Sequence, residues 1–230
     1  MNNVKSAFSP LIFTLTLSAC GGGGGGSDSN STSIQTEDAN QTFSLSKLLT
    51  TAQGPVYNAQ LTGSDSDGTS FTGSISMANG SQETLDGVLV TPRDLIISLS
   101  PTTGSSITVT STGYTDESGY TISLEVQTTG VTCAPASPYR LPDSVTIGDL
   151  GILSTLSCSD GTTQETNWRV EDAGNGRALI ITNGTMKSQS NNILSTTDVT
   201  YTIDSSGNIV KFKTVSTQVD ESFTLSYESV

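Results

Sequence analysis

The sequence predicts an all-β domain, either an antiparallel β-sandwich or an up-and-down, barrel-like meander, with little helix. Turn signals such as Asp67-Gly68, Asn79-Gly80 and Gly207-Asn208 punctuate the chain. Between them, apolar and polar residues alternate with the period of a strand that has one wet face. After residue 56 the helical period is missing. Together these leave two antiparallel architectures, a sheet folded onto a second sheet or a sheet closed on itself.

The elements follow in order. Residues 42–53 carry the single helical hint: Phe43, Leu45, Leu48 and Leu49 do not alternate cleanly, and Gly54-Pro55 ends the segment. This is either a short helix plugging one end of a β structure or an irregular first strand. Strands are expected at 56–61 and 70–77 around the turn Ser64-Asp65-Ser66-Asp67-Gly68. Two more are expected at 85–90 and 94–100, separated by Thr91-Pro92 because proline ends or edges a strand. Tyr120, Ile122, Leu124 and Val126 alternate without error against polar neighbours. Pro135, Pro138 and Pro142 then break the pattern and read as a connection between possible halves, 42–130 and 143–230. Residues 178–182 form a continuous apolar run suited to a central strand, and a meander closes the chain. Ser66-Asp67-Gly68-Thr69 echoes Ser159-Asp160-Gly161-Thr162, a faint internal repeat.

Composition excludes more than it selects. Apolar residues are 33% of the chain and charged residues 13%, the balance of a secreted β protein rich in Ser, Thr, Asn and Gly. Nine Lys and Arg against 22 Asp and Glu give a net charge of −13. Such a field repels phosphate backbones, so no nucleic-acid partner is expected. The chain has no histidine, which removes Ser-His-Asp and Cys-His catalysis and His-ligated zinc. No nucleophile elbow is present, and Ser44-Leu45-Ser46-Lys47 offers only a chance Ser-x-x-Lys. The expectation is a protein that is not an enzyme and needs no cofactor. A hydrolase built on paired carboxylates is the least favoured alternative. The single tryptophan, Trp168, reads as a core or edge aromatic rather than a sugar platform.

Lys5 precedes an apolar run over residues 7–17, too short to span a bilayer. Directly after it, Leu17-Ser18-Ala19-Cys20 resembles the lipobox of bacterial lipoproteins. The resemblance covers residues 1–20. It implies a signal peptide over 1–19, a diacylglycerol on the Cys20 thiol and an acylated amine, palmitate-type chains that together anchor the protein stably. It places the protein in the cell envelope, with the outer membrane of a Gram-negative bacterium favoured because Gly21 stands where an aspartate would retain it at the inner membrane. Loss of Lys5 with the signal leaves 8 basic residues against 22 acidic, a net charge of −14. Residues 20–41, with six glycines and a Ser/Asn-rich run, read as a tether of roughly 25 Å r.m.s. reach. The folded domain is then 42–230.

With Cys20 lipidated, Cys133 and Cys158 remain in an oxidising compartment, where an even pair usually closes a disulfide. Asp65 and Asp67 beside Gly68 resemble part of a calcium loop, but Gly63 and Ser74 stand where an EF-hand needs acids. They are weak metal candidates, and a hairpin turn explains them equally well. The reading is a lipid-anchored envelope protein acting as a binding or structural β module. The alternative is a calyx-type carrier, with a protein or a hydrophobic small molecule as partner.

Overall fold

The computed structural model describes residues 41–230; the expected signal peptide, Cys20 and the tether lie outside the described residues. The fold is the barrel of the two architectures predicted. Twelve antiparallel strands close on themselves, with a small extra sheet beside them.

The barrel is an up-and-down meander. It runs through β2 (Gly54–Asp65), β3 (Ser70–Asn79), β5 (Val88–Pro101), β6 (Ile107–Asp116), β7 (Thr121–Val126) and β8 (Val131–Pro135). It continues through β11 (Leu156–Cys158), β12 (Thr163–Gly174), β13 (Arg177–Lys187), β14 (Ile193–Ile203), β15 (Ile209–Gln218) and β16 (Phe223–Ser229). β16 returns to pair with β2, Tyr227 opposite Gly63, which closes the ring. Three short strands lie beside it: β4 (Glu83–Leu85) on β5, β10 (Leu150–Ile152) on β12, and β9 (Ser144–Thr146) paired with β1 (Thr42–Ser44).

Alternation sets which face is buried. On β14, Val199, Tyr201 and Ile203 point inward while Asp198, Thr200 and Thr202 face out; on β12, Trp168 and Val170 alternate with Asn167, Arg169 and Glu171. The outward faces are therefore Ser-, Thr- and charge-rich. Among the described strands there is no continuous apolar band of the kind a lipid-spanning barrel needs. Inward residues from opposite walls, such as Leu61, Ile75 and Leu99 with Ile180, Val199 and Phe212, belong to one buried core. About eight strands make a barrel that side chains just fill. With twelve, the ring is larger than that, and its inward side chains form one buried core. Tyr201, Phe212 and Tyr227 form a row of tilted aromatic contacts in this core, with ring centroids 5.5 and 6.1 Å apart. Smaller inward residues toward the other end pair their hydroxyls, Thr197 Oγ1 lying 3.0 Å from Ser216 Oγ.

Two expected boundaries were wrong. Residues 85–90 do not form one strand, because Asp86 (φ 49°) and Gly87 (φ 83°) make a hairpin turn between β4 and β5, the Asp-Gly signal for paired positive φ. Pro92 does not end a strand, since β5 runs through it. Its carbonyl accepts from Gly80 N in the gap between β3 and β4. The missing N–H points to the same side as that carbonyl, where no ladder strand waits for it. A third shift is local: a register irregularity between Tyr114 and Thr115 turns Thr121 inward, fully buried, ahead of Leu124 and Val126.

The ring is narrowest in hydrogen bonds at β11, which has three residues between β8 and β12. Cys133 and Cys158 lie directly opposite each other in this seam and form a disulfide. Where β11 stops, β10 takes over the β12 edge; Gly151 lies against the Trp168 indole, and a Cβ there would come within 2.6 Å of the ring nitrogen. The bridge closes a loop with a sequence separation of 25, which on the chain-entropy account contributes about 3.5 kcal/mol. The Cys133→Ala/Cys158→Ala double variant should lose about that much in a urea unfolding titration. An unchanged midpoint would show that the bridge adds nothing to the seam.

Candidate functional site

The two ends of the barrel differ. One carries only hairpins, among them the turns at 65–69 and 158–162. The other is covered by a plug made of residues 41–53 and the Pro-rich connection. The hairpin end holds the weak metal candidates. Asp65 Oδ1 accepts from the backbone N–H of Asp67 at 3.0 Å and Thr69 at 2.8 Å, so this carboxylate organises the turn. Asp160 and Asp204 do the same in their own turns. Among the described residues, no group of three or more Cys, Asp or Glu side chains converges as metal ligands would.

At the plugged end, β1 pairs with β9 and places Phe43 opposite Val145. Leu45 N then donates to Asp143 O at 2.8 Å. A single helical turn follows, α1 (Ser46–Leu49). Ser44 Oγ accepts from Ser46 N to start it, and Leu48 turns inward. Phe43, Leu45 and Leu48 are almost wholly buried and join the barrel core. Of the two readings of 42–53, both hold in sequence: a three-residue strand and then a helical turn that plugs one end. The turn at 204–208 abuts β1 so closely that a Cβ on Gly207 (φ +80°) would lie 2.2 Å from Ser44 O. Glycine is required there on both counts.

The plug is held by an inward-facing polar pair that the sequence reading passed over. Thr50 leaves the helix for extended backbone (ψ 134°), freeing carbonyls that need partners. Arg93 supplies them: Nη1 donates to Leu48 O, Nη2 to Thr50 O, and Nε to Asn79 Oδ1 at 2.8 Å. Asn79, opposite Arg93 in the β3–β5 ladder, donates through Nδ2 to Thr50 O at 2.7 Å and Ala52 O at 3.0 Å. Arg93 shares the inward phase of Leu95, Ile97 and Leu99. A cation in phase with three core residues was the available signal. Among the described residues no ion pair involves it, and burial lowers its pKa to about 10, with nearby Tyr201 acting in the opposite sense.

Grooves surround the plug. The largest described, about 580 Å³, runs between α1, residues 50–57 and the turn at Asn208-Ile209; Tyr57 forms part of its wall. A second of about 380 Å³ lies on the other side of residues 49–52, against Ser118, Arg140 and Asp143. There Arg140 pairs with Asp143 at 2.9 Å and its guanidinium stands 5.5 Å from the Tyr120 ring centre. A third, about 170 Å³, lies beside Gln41 and Phe43. This end thus offers concave surface around a strap held by a partly buried cation, an arrangement suited to binding. No known family model matches the chain, and no curated protein matches it.

Buried phenols make the end sensitive to alkali. Burial carries Tyr201 and Tyr227 far above the ordinary phenol range, Arg93 partly offsetting the rise at Tyr201. Burial, then Glu125, raises Tyr114 to about 12. An unfolded chain releases these protons near pH 10 while the folded one keeps them, so their contribution is complete below about pH 10 and is lost as pH rises further. Tyrosinate absorbance should therefore lag the unperturbed titration and then rise together with loss of circular dichroism. A smooth titration centred near pH 10 with the fold intact would contradict the burial of these hydroxyls.

Proposed function

We propose that the chain is a lipid-anchored binding module of the bacterial cell envelope, held to the membrane through Cys20 and binding its partner in the groove at the plugged end. The observation that carries this reading is the contrast between a filled barrel interior and the groove of about 580 Å³ beside the plug. A barrel closed by long-range pairing is a rigid support, and side chains on its strands hold a groove wall more firmly than a loop would. The described chain begins at this same end with Gln41, whose Nε2 donates to Gly176 O. The expected tether therefore joins the domain at the plugged end, beside the smallest of the three grooves, which favours a partner met near the membrane surface. Absence of histidine and of a nucleophile motif favours binding over catalysis.

The calyx-type carrier is the second reading, and closure of the barrel is the feature that favours it. It requires the interior to expand around a ligand, because the inward residues are already in contact. Lipids retained after gentle extraction and identified by mass spectrometry would support the carrier over the groove.

The anchor has its own test. Cys20→Ser should leave the circular dichroism spectrum unchanged and move the protein from the membrane fraction to the soluble fraction. A correctly cleaved Cys20→Ser protein that stays in the membrane fraction would refute the anchor.

A further inference from the structure

We propose that the groove beside the plug takes an extended peptide from a partner protein. The peptide lies as one more strand in the line of β16, between the edges of β2 and β15, and sets an acidic side chain against Lys47. This inference rests on the groove being the binding site and names its occupant.

The groove lies where a strand runs out. β2 and β15 flank β16 but are longer, with 12 and 10 residues against 7. The β16 ladders end with Ser229 opposite Leu61 on one side and Glu228 opposite Lys213 on the other. Val230 N adds a last bond to Gln60 O. Beyond this point, and among the described strands, residues 54–59 of β2 pair with β3 alone and residues 209–212 of β15 with β14 alone. Phe212 N donates to the side-chain oxygen of Ser229, at 2.9 Å, in place of a ladder carbonyl. The alternation that turns Gln60 O toward Val230 turns the N–H and C=O of Asn58 to the same side, one step past the end of β16. Two strand edges are thus separated by the place of one missing strand. The groove of about 580 Å³ occupies that place: residues 54–57 wall it from the β2 side, Asn208 and Ile209 from the β15 side, and α1 contributes Ser46 and Lys47.

Both flanking strands are bulged at this level. Register shifts between Pro55 and Tyr57, and between Thr202 and Ile203 against β15, leave Val56 and Val210 as extra residues. A bulge interrupts regular pairing and re-aims a side chain, and Val56 stands in the groove wall beside Tyr57. A strand takes up about 4.8 Å by 10 Å in section and 3.3 Å of length per residue, so the groove holds roughly three to four residues. Open edges of this kind pair with an extended chain, whose backbone supplies the hydrogen bonds while alternate side chains supply specificity. The charge selects the occupant. Lys47 is exposed, is the only charged residue in the groove lining and forms no ion pair among the described residues. In a chain with 22 acidic and 9 basic residues, a groove lined by one cation and no carboxylate fits an acidic side chain. A second copy would bring the same net charge of −13, which disfavours self-pairing and favours a different protein.

The test is an NMR titration of the full chain, carrying Cys20→Ser so that it is handled without detergent. The probes are acetyl-Thr-Val-Asp-Val-Thr-amide, its twin with lysine in place of aspartate, and the aspartate peptide N-methylated on both valines. The aspartate peptide should move the amide signals of Tyr57, Asn58 and Ile209 and bind about threefold or more tightly than the lysine twin. The field of the whole chain favours the lysine twin, so this order reports the local cation. Lys47→Gln, an exposed change that should leave the melting temperature unaltered, should reverse the order. N-methylation should weaken binding about tenfold or more, because it removes strand hydrogen bonds and crowds one wall of the slot. Equal binding of the methylated peptide would overturn the inference and leave the groove as the binding site. Tighter binding of the lysine twin to the unaltered groove would overturn it as well. A cross-strand Overhauser contact at the Asn58 amide before any probe is added would mean that the chain itself or a second copy fills the slot, and would overturn a partner peptide as occupant. Absence of binding by every probe would also overturn the inference. A photocrosslinker carried on Gln53 in producing cells then judges the groove reading separately: an adduct retains it and the lack of one removes it.

Discussion

The pairing of β2 with β16 is the contact on which the structure depends. It joins the first barrel strand to the last, Leu61 opposite Ser229 and Asp65 opposite Leu225, and the loop entropy of bringing them together is met only when the intervening strands are in place. Closure also demands close approach. A Cβ on Gly63 would lie 2.2 Å from Ser226 O and 2.7 Å from Tyr227 Cα, so glycine lets the two strands meet at this register. Tyr227, placed inward by the same pairing, completes the aromatic row with Phe212 and Tyr201. One backbone contact thus sets the ring and places the aromatic row in its core.

Closing the ring removes exposed sheet edges but leaves two ends, and the chain treats them differently. Short hairpins finish one end with Asp side chains satisfying their own turn amides. The other end needs more chain, and the plug provides it with Phe43, Leu45 and Leu48 on its inner side. A plug brings backbone carbonyls into a place with little water, where they need donors. Arg93 and Asn79, adjacent across the β3–β5 ladder, meet that need. The partly buried cation and the grooves around the plug therefore follow from how the end is sealed, and the candidate binding site is a consequence of that solution.

How far the chain could be read follows from which interactions are local. Alternation around Leu124 and Val126, the turn at Asp65–Gly68 and the uneven pattern of Phe43, Leu45 and Leu48 are local, and they read correctly as strand, hairpin and plug. Sandwich against barrel was open because both give each strand one wet and one dry face; β2–β16 register decides it, across most of the domain's length. Pro92 misled because its tolerance depends on the gap left between β3 and β4, and Asp86-Gly87 was a local signal passed over within an apolar run. The disulfide was accessible through cysteine count and compartment, but its position at the β8–β11 seam was not. Arg93 was missed for the same reason as the closure: its partners, Leu48 and Thr50, lie far away in sequence and offer only backbone oxygen. Its phase with Leu95, Ile97 and Leu99 was legible.

The most direct measurement of this account is native-state amide exchange followed residue by residue by NMR. Closure predicts that amides in β2 and β16, including Gly63 and Tyr227 where they face each other, exchange only through global unfolding, with the same denaturant dependence as the central amides of β13 and β14. Exchange of β2 and β16 at low denaturant, while β13 and β14 stay protected, would mean that the sheet is open and that the ring, the plug and the site beneath it do not form one unit.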